Sequence, residues 1–230
     1  MHRVFLLLTF FSFALSSCAV ISTSQFETAK TLKEREGLIG AGFGMGRDVS
    51  TGIYFNSDAQ NFPSPIIEIF GRASIDKHVD AGLKWWIATG IIGIKGSGKF
   101  QLTPDDAKMH VAFAPGISWT GSDIEEIDGD HTAYASATSF HVSMLWSAHP
   151  SKTLSVYGGF HYVYSHIATK KWNDERRAFD LHSPGLTFGI ELNVGPVSLM
   201  PEFSVYRVYD FILGSPLFVV FPNAGLAVRF

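Results

Sequence analysis

The sequence predicts an all-β protein: an antiparallel, up-and-down transmembrane β-barrel of about ten strands, with eight as the alternative. Three observations predict it. From Glu36 onward, apolar residues recur at period two in one segment after another. The connections between these segments alternate between short and long, and aromatic residues gather at the ends of the apolar faces. A soluble sandwich also uses amphipathic strands, burying the apolar face and wetting the other. A membrane barrel reverses this, turning the apolar face to lipid and the polar face to the lumen.

The chain opens with a positive Arg3 and an apolar run, Val4 to Leu15. That run is too short to span a bilayer comfortably and has the length of a secretory signal. It leads into Leu15-Ser16-Ser17-Cys18, and Cys18 is the only cysteine in 230 residues. The tetrad resembles the lipobox of bacterial lipoproteins. The resemblance implies cleavage before Cys18, acylation of that cysteine and, because Ala19 rather than an Asp follows, sorting to the outer membrane. An ordinary signal with an incidental cysteine is the alternative. Residues 1–17 are therefore expected to be a lipoprotein signal peptide, 18–35 a lipidated polar tether, and 36–230 the barrel.

The strands follow in order. In 37–46, Ile39, Ala41, Phe43 and Met45 share a face opposite glycines; in 66–74, Ile67 and Ile69 oppose Glu68, Phe70 and Arg72. In 79–87, Val79, Leu83, Trp85 and Ile87 oppose Asp80, Lys84 and Trp86; in 92–102, Ile92, Ile94, Phe100 and Leu102 oppose Lys95, Lys99 and Gln101. Segment 109–119 sets Val111, Phe113, Ile117 and Trp119 against His110 and Ser118, and 139–146 sets Phe140, Val142, Met144 and Trp146 against His141 and Ser143. Segment 154–164 sets Leu154, Val156, Phe160, Tyr162 and Tyr164 against Ser155, Tyr157 and His161. In 185–194, Leu186, Phe188, Ile190 and Leu192 oppose Thr187 and Glu191; in 197–206, Leu199, Phe203 and Val205 oppose Ser198, Glu202 and Ser204. The last, 220–230, sets Val220, Leu226, Val228 and Phe230 against Asn223, Gly225 and Arg229.

The connections "IDKH", "TPDD", "HPSK" and "VGP" are tight, whereas residues 47–64, 120–134 and 165–182 read as long loops. Short turns at one end and long loops at the other are the outer-membrane pattern. Trp85, Trp119 and Tyr164 mark one aromatic girdle and Trp146, Phe100 and Phe230 the other. An even strand count places both ends of the barrel on the periplasmic side, where the lipid anchor is then expected.

Composition excludes other classes. Net charge is −3, and no basic patch suggests nucleic acid. After residue 17 no apolar run reaches the length of a membrane helix; "WWIATGIIGI" (85–94) is the best window and is flanked by Lys84 and Lys95.

The closing "NAGLAVRF" resembles the C-terminal signal that outer-membrane barrels present to the barrel assembly machinery, with Asn223, Gly225, Val228 and Phe230 at the matching places. "RASIDKHVDAGLKWW" and "LSVYGGFHYVYS" look like hairpins of poorly characterised β-barrel lipoproteins of Gram-negative bacteria. The resemblance implies residence in the outer membrane among its lipid and lipopolysaccharide. It is silent on activity.

Candidate chemistry lies on the inward face. By parity it carries Glu68, Asp80, Glu191 and Glu202 against Arg72, Lys84, Lys95, Lys99 and Arg229. The nearly cancelling set predicts cross-lumen ion pairs and a largely filled interior rather than a single-sign conducting path. His141 and Ser143 resemble the His-x-Ser of outer-membrane lipid A deacylases, but they face the lumen and no acid lies at a matching place on the next strand. His110, His141 and His161 stand on three consecutive strands, where imidazoles can bind a metal or serve as polar filler. The acidic run Asp123, Glu125, Glu126, Asp128 and Asp130 lacks the spacing of a calcium hand and reads as a solvated loop or a divalent-bridged contact with lipopolysaccharide. "GSGK" (96–99) lacks the rest of a phosphate loop. The expectation is a structural or surface-interaction role with no cofactor. A narrow channel or carrier for a small or apolar solute is the alternative, and a lipid-modifying hydrolase using His141 and Ser143 is third.

Overall fold

The computed structural model describes residues 20–48, 63–88, 91–125, 132–170, 176–210 and 215–230. Residues 1–17 and Cys18 lie outside them, as do 49–62 and most of the acidic run. The strands are β1 (Val20–Ser22), β2 (Gly37–Asp48), β3 (Pro63–Asp76), β4 (Val79–Ala88), β5 (Ile91–Gln101), β6 (Met109–Glu125), β7 (Thr132–Ala148), β8 (Leu154–Lys170), β9 (Arg176–Val194), β10 (Val197–Asp210) and β11 (Ser215–Arg229). From β2 to β11 each strand pairs antiparallel with the next, and β2 also pairs with β11. Ten strands thus close into a barrel, in the up-and-down order that the alternation predicts.

The protein is turned inside out. Ile67 is 63% exposed while its neighbour Glu68 is 0% exposed, and the same reversal runs round the wall. Phe43, Ile69, Leu83, Trp85, Ile92, Trp119, Phe140, Phe188, Phe203 and Leu226 all face outward. Asp80, Lys84, Lys99, His141, His161, Glu191 and Glu202 are buried inward. In water this would forfeit the hydrophobic driving force, since apolar area stays wet and charge is buried. In lipid it is the stable arrangement.

Tight turns join the strands at one end. At Gly195 the link between β9 and β10 takes a positive φ of 61°, which glycine adopts without a Cβ penalty.

The other end departs from expectation. The supposed long loops 120–134 and 165–182 are mostly strand: β6 and β7 pair out to Glu125↔Thr132, and β8 and β9 out to Lys170↔Arg176. The physical reason is a reversal of phase. Along β8 the outward positions run Val156, Phe160, Tyr162 and then His166, while the inward ones run Ser155, His161 and then Ile167. Above the apolar band the outer face turns polar and the interior turns apolar, with Ile21, Ala135, Ala137, Ile167 and Leu181 forming one cluster. A pattern whose sense flips halfway reads as a loop.

The second departure concerns residues 18–35. Of these, residues 20–35 are described. From Val20 to Leu32 the described part lies inside the lumen, almost wholly buried. It enters at the long-loop end, where Val20–Ser22 pair with Gly46–Asp48, and leaves near Glu36 at the short-turn end.

Candidate functional site: the occupied lumen

Residues 20–32 form almost no regular structure, so their backbone polar groups need partners from the wall. The inward side chains supply them. Near the long-loop end, Trp86 Nε1 donates to the Val20 carbonyl at 2.8 Å. Ser22 and Ser24 both donate to the Glu68 carboxylate, Ser22 at 2.7 Å. Lys84 Nζ donates to the Ser24 carbonyl at 2.8 Å and lies 3.2 Å from Glu68.

At mid-height, Glu202 accepts the N–H groups of Gln25 and Phe26, each at 2.8 Å, and the Tyr157 hydroxyl at 3.2 Å. Below, Glu27 pairs with Arg72. Lys99 Nζ donates to the carbonyls of Thr28 (3.1 Å) and Lys30 (2.9 Å) and pairs with Asp80 at 2.9 Å. Asp80 in turn accepts the Leu32 N–H, and Gln101 accepts that of Thr31 at 2.8 Å. Ser147 accepts the Ala29 N–H at 3.2 Å.

The wall also makes room. Phe26 sits at φ 49°, an uncommon conformation for a residue with a Cβ. Its ring fills the space left by two glycines: a Cβ at Gly42 would lie 2.5 Å from the ring, and one at Gly225 3.0 Å. Phe70 meets the ring with centroids 5.3 Å apart, and the Lys84 ammonium stands 5.3 Å over it.

Each residue singled out in the sequence has a place here. Glu68, Arg72, Asp80, Lys84, Lys95, Lys99, Glu191, Glu202 and Arg229 all point inward, but their ion pairs do not span the lumen. Asp80 and Lys99 face each other on adjacent strands, Lys84 and Glu68 are diagonal neighbours on adjacent strands, and Arg229 reaches Glu191 two strands away. The segment on the axis keeps opposite walls apart. Asn223 and Gly44 make the last pair of the β2–β11 seam; above it, Asn223 Oδ1 accepts the Met45 N–H at 3.2 Å and β1 takes over pairing with β2. Val228 faces outward, and Phe230 exchanges main-chain hydrogen bonds with Gly37.

His141 and Ser143 do not partner each other. His141 Nε2 lies 2.7 Å from Ser118 Oγ, and Ser143 Oγ lies 2.8 Å from Nδ1 of His161, whose Nε2 has no hydrogen-bond partner. A hydrolytic triad has a third group orienting the histidine; among the described residues none contacts His161 Nε2. His110 packs against His149, ring centroids 5.3 Å apart, away from the other two imidazoles. Among the described residues no group of three or more His, Cys, Asp or Glu is placed to hold a metal ion.

Sequence reasoning missed Glu27, Gln25, Phe26 and the whole inserted segment. It also missed a cavity of about 730 Å³ between this segment and the wall at the short-turn end.

The sequence matches no protein-family model and no curated protein. Solved structures with a similar fold include Ail, the attachment invasion locus protein of Yersinia pestis, at 12% identity over 86% of this chain and 99% of that one, TM-score 0.43. Another is Neisserial surface protein A, at 12% identity over 84% and 97%, TM-score 0.41. A third is the translocator domain of the autotransporter NalP from Neisseria meningitidis, at 10% identity over 87% and 90%, TM-score 0.46.

Proposed function

We propose that the chain is an outer-membrane β-barrel lipoprotein closed by its own N-terminal segment, with a structural or surface-interaction role. The observation that carries this reading is the seating of residues 20–32, whose main chain is held along the axis by Glu202, Asp80, Lys84 and Lys99. A lumen built for steady conduction keeps a continuous wet path; this one is occupied. The apolar outer face supports membrane residence, and the extended hairpins β6–β7 and β8–β9 supply a surface beyond the apolar band.

Cys18 is the proposed lipidation site, and the position of Val20 bears on its side. Val20 pairs with Asp48, at the end of β2 remote from Gly37. Two residues reach at most about 7 Å, whereas a 12-residue strand is roughly 40 Å long. The periplasmic anchor expected from strand parity therefore fits Glu36 but not Val20, because the chain between them runs the length of the lumen. Intact-mass analysis of the mature chain tests the lipid, and labelling of whole cells tests the side.

Planar-bilayer recording of the full chain tests closure. Little steady conductance is expected; large, stable open channels would overturn the reading. A second reading, a carrier for a small solute, is favoured by one observation, the cavity left at the short-turn end.

A further inference from the structure

We propose that this cavity is a binding site for a small phosphate-bearing solute, with Lys95 as its central contact. The charge inventory points there first. The cavity is lined by eight lysines and arginines against three carboxylates, Glu27, Glu36 and Glu191; Lys30, Lys33 and Lys152 are exposed at its rim, and Glu68, Asp80 and Glu202 add three acids that face the lumen.

Inside the lumen one cation stands apart from the ion pairs. Of the five inward strand cations, four pair with carboxylates: Arg72 with Glu27, Lys84 with Glu68, Lys99 with Asp80 and Arg229 with Glu191. Lys95 has neither an ion pair nor a hydrogen bond among the described residues, and it lines the cavity. It also stands directly opposite Lys84 in the β4–β5 register. Like charges at directly opposed positions destabilise a sheet; Lys84 is held by Glu68 at 3.2 Å, which leaves Lys95 as the member of the pair without an ion-pair partner.

A further donor is left over two strands away in the same lining. Among the described residues Arg72 Nη1 is buried without a hydrogen-bond partner, as are Glu27 Oε2 and Glu191 Oε2 at the same cavity. Buried donors of this kind are seldom left unmet. Two glycines give the cations space: a Cβ at Gly82 would lie 3.1 Å from Arg72 Nη2, and one at Gly116 3.2 Å from Lys95 Cε. An arginine fork beside lysine point charges suits phosphate oxygens. The volume falls within the range of small-molecule sites.

Calorimetric titration of the full chain in nonionic detergent with inorganic pyrophosphate tests the site. One saturable site per chain is expected. Lys95→Gln should weaken it by about tenfold or more, while Lys77→Gln, at the turn beyond the cavity, should leave it unchanged. Lys95 has no partner to strand, so its variant should keep the barrel's far-ultraviolet spectrum. Absence of saturable binding, or equal affinity in Lys95→Gln, overturns the proposal. The same preparation's conductance reports on closure separately. A closed barrel without binding defeats the site alone, and a conducting barrel that still binds defeats closure alone.

Discussion

The Glu202 carboxylate accepts the Phe26 amide at 2.8 Å while Phe26 is held at φ 49°, so one buried acid fixes both a hydrogen bond and an unfavourable backbone conformation. With its second oxygen on Gln25 N–H, Glu202 is the clasp at the middle of the lumen.

Glu202→Ala should release that clasp. Each buried N–H left without a partner costs about 1–3 kcal/mol, and two are left. The expected outcomes are a raised leak in bilayer recordings and faster amide exchange at Gln25 and Phe26. Glu202→Gln keeps one acceptor and should fall between. An unchanged leak and unchanged exchange in Glu202→Ala would show that the segment is held elsewhere.

The ring of Phe26 and the absent side chain of Gly42 should be energetically coupled. Gly42→Ala puts a methyl 2.5 Å from the ring and should destabilise by about 1–3 kcal/mol. In a Phe26→Ala background the same change should cost much less. Thermal unfolding of the four proteins gives the coupling, and additive effects would mean that the ring does not occupy the slot.

Membrane residence predicts asymmetric tolerance of charge. Arg at outward Val156 or Ile190 should cost about 2–4 kcal/mol. Arg at Ser97, which lines the cavity, should cost less. Thr187 faces inward too, but it is packed with its hydroxyl 2.9 Å from Ser204 Oγ, so it is a poor reference for a wet lumen. Equal costs at Ile190 and Ser97 in refolding titrations would count against a lipid-facing outer wall.

His149, in the turn between β7 and β8, should make the short-turn end sensitive to acid. Partial burial is the main cause that lowers its pKa to about 4; His110, Lys30 and Arg229 push the same way, and Glu191 opposes them. A folded-state pKa below the unfolded value means that the unfolded chain takes up the proton first. Stability at this end should therefore be level above about pH 6.5 and fall as pH drops toward 4. Both ring nitrogens face serine hydroxyls, Ser147 at 3.1 Å and Ser155 at 2.8 Å, and Ser147 also receives the Ala29 N–H. Amide exchange at Ala29 should accelerate across that window, and His149→Gln should flatten the response.

Much of the wall is legible in the sequence because its cause is local. Lipid on one side and a polar lumen on the other impose period two, so Ile67 against Glu68 or Leu83 against Lys84 already states which way each side chain points. Strand number, antiparallel order and the inward charge set follow from that alternation. Where the environment reverses along a strand, as from Tyr162 to His166 on β8, the same local logic loses its reference and the strand reads as a loop.

What fills the lumen is decided only by the tertiary structure. Residues 20–32 carry no periodicity that marks them as buried; their Ser and Thr residues suit a solvated tether equally well. Their burial depends on partners far along the chain: Glu202 lies 176 residues from Phe26, and Ser147 lies 118 from Ala29. Gly225 illustrates the division. Its place in the closing strand is readable from alternation, but the ring of Phe26 that needs its missing side chain arrives only when the barrel closes around the segment. Lys95 does the same for charge: the sequence determines that it points inward, and only the pairing of every other inward cation leaves it alone at the cavity.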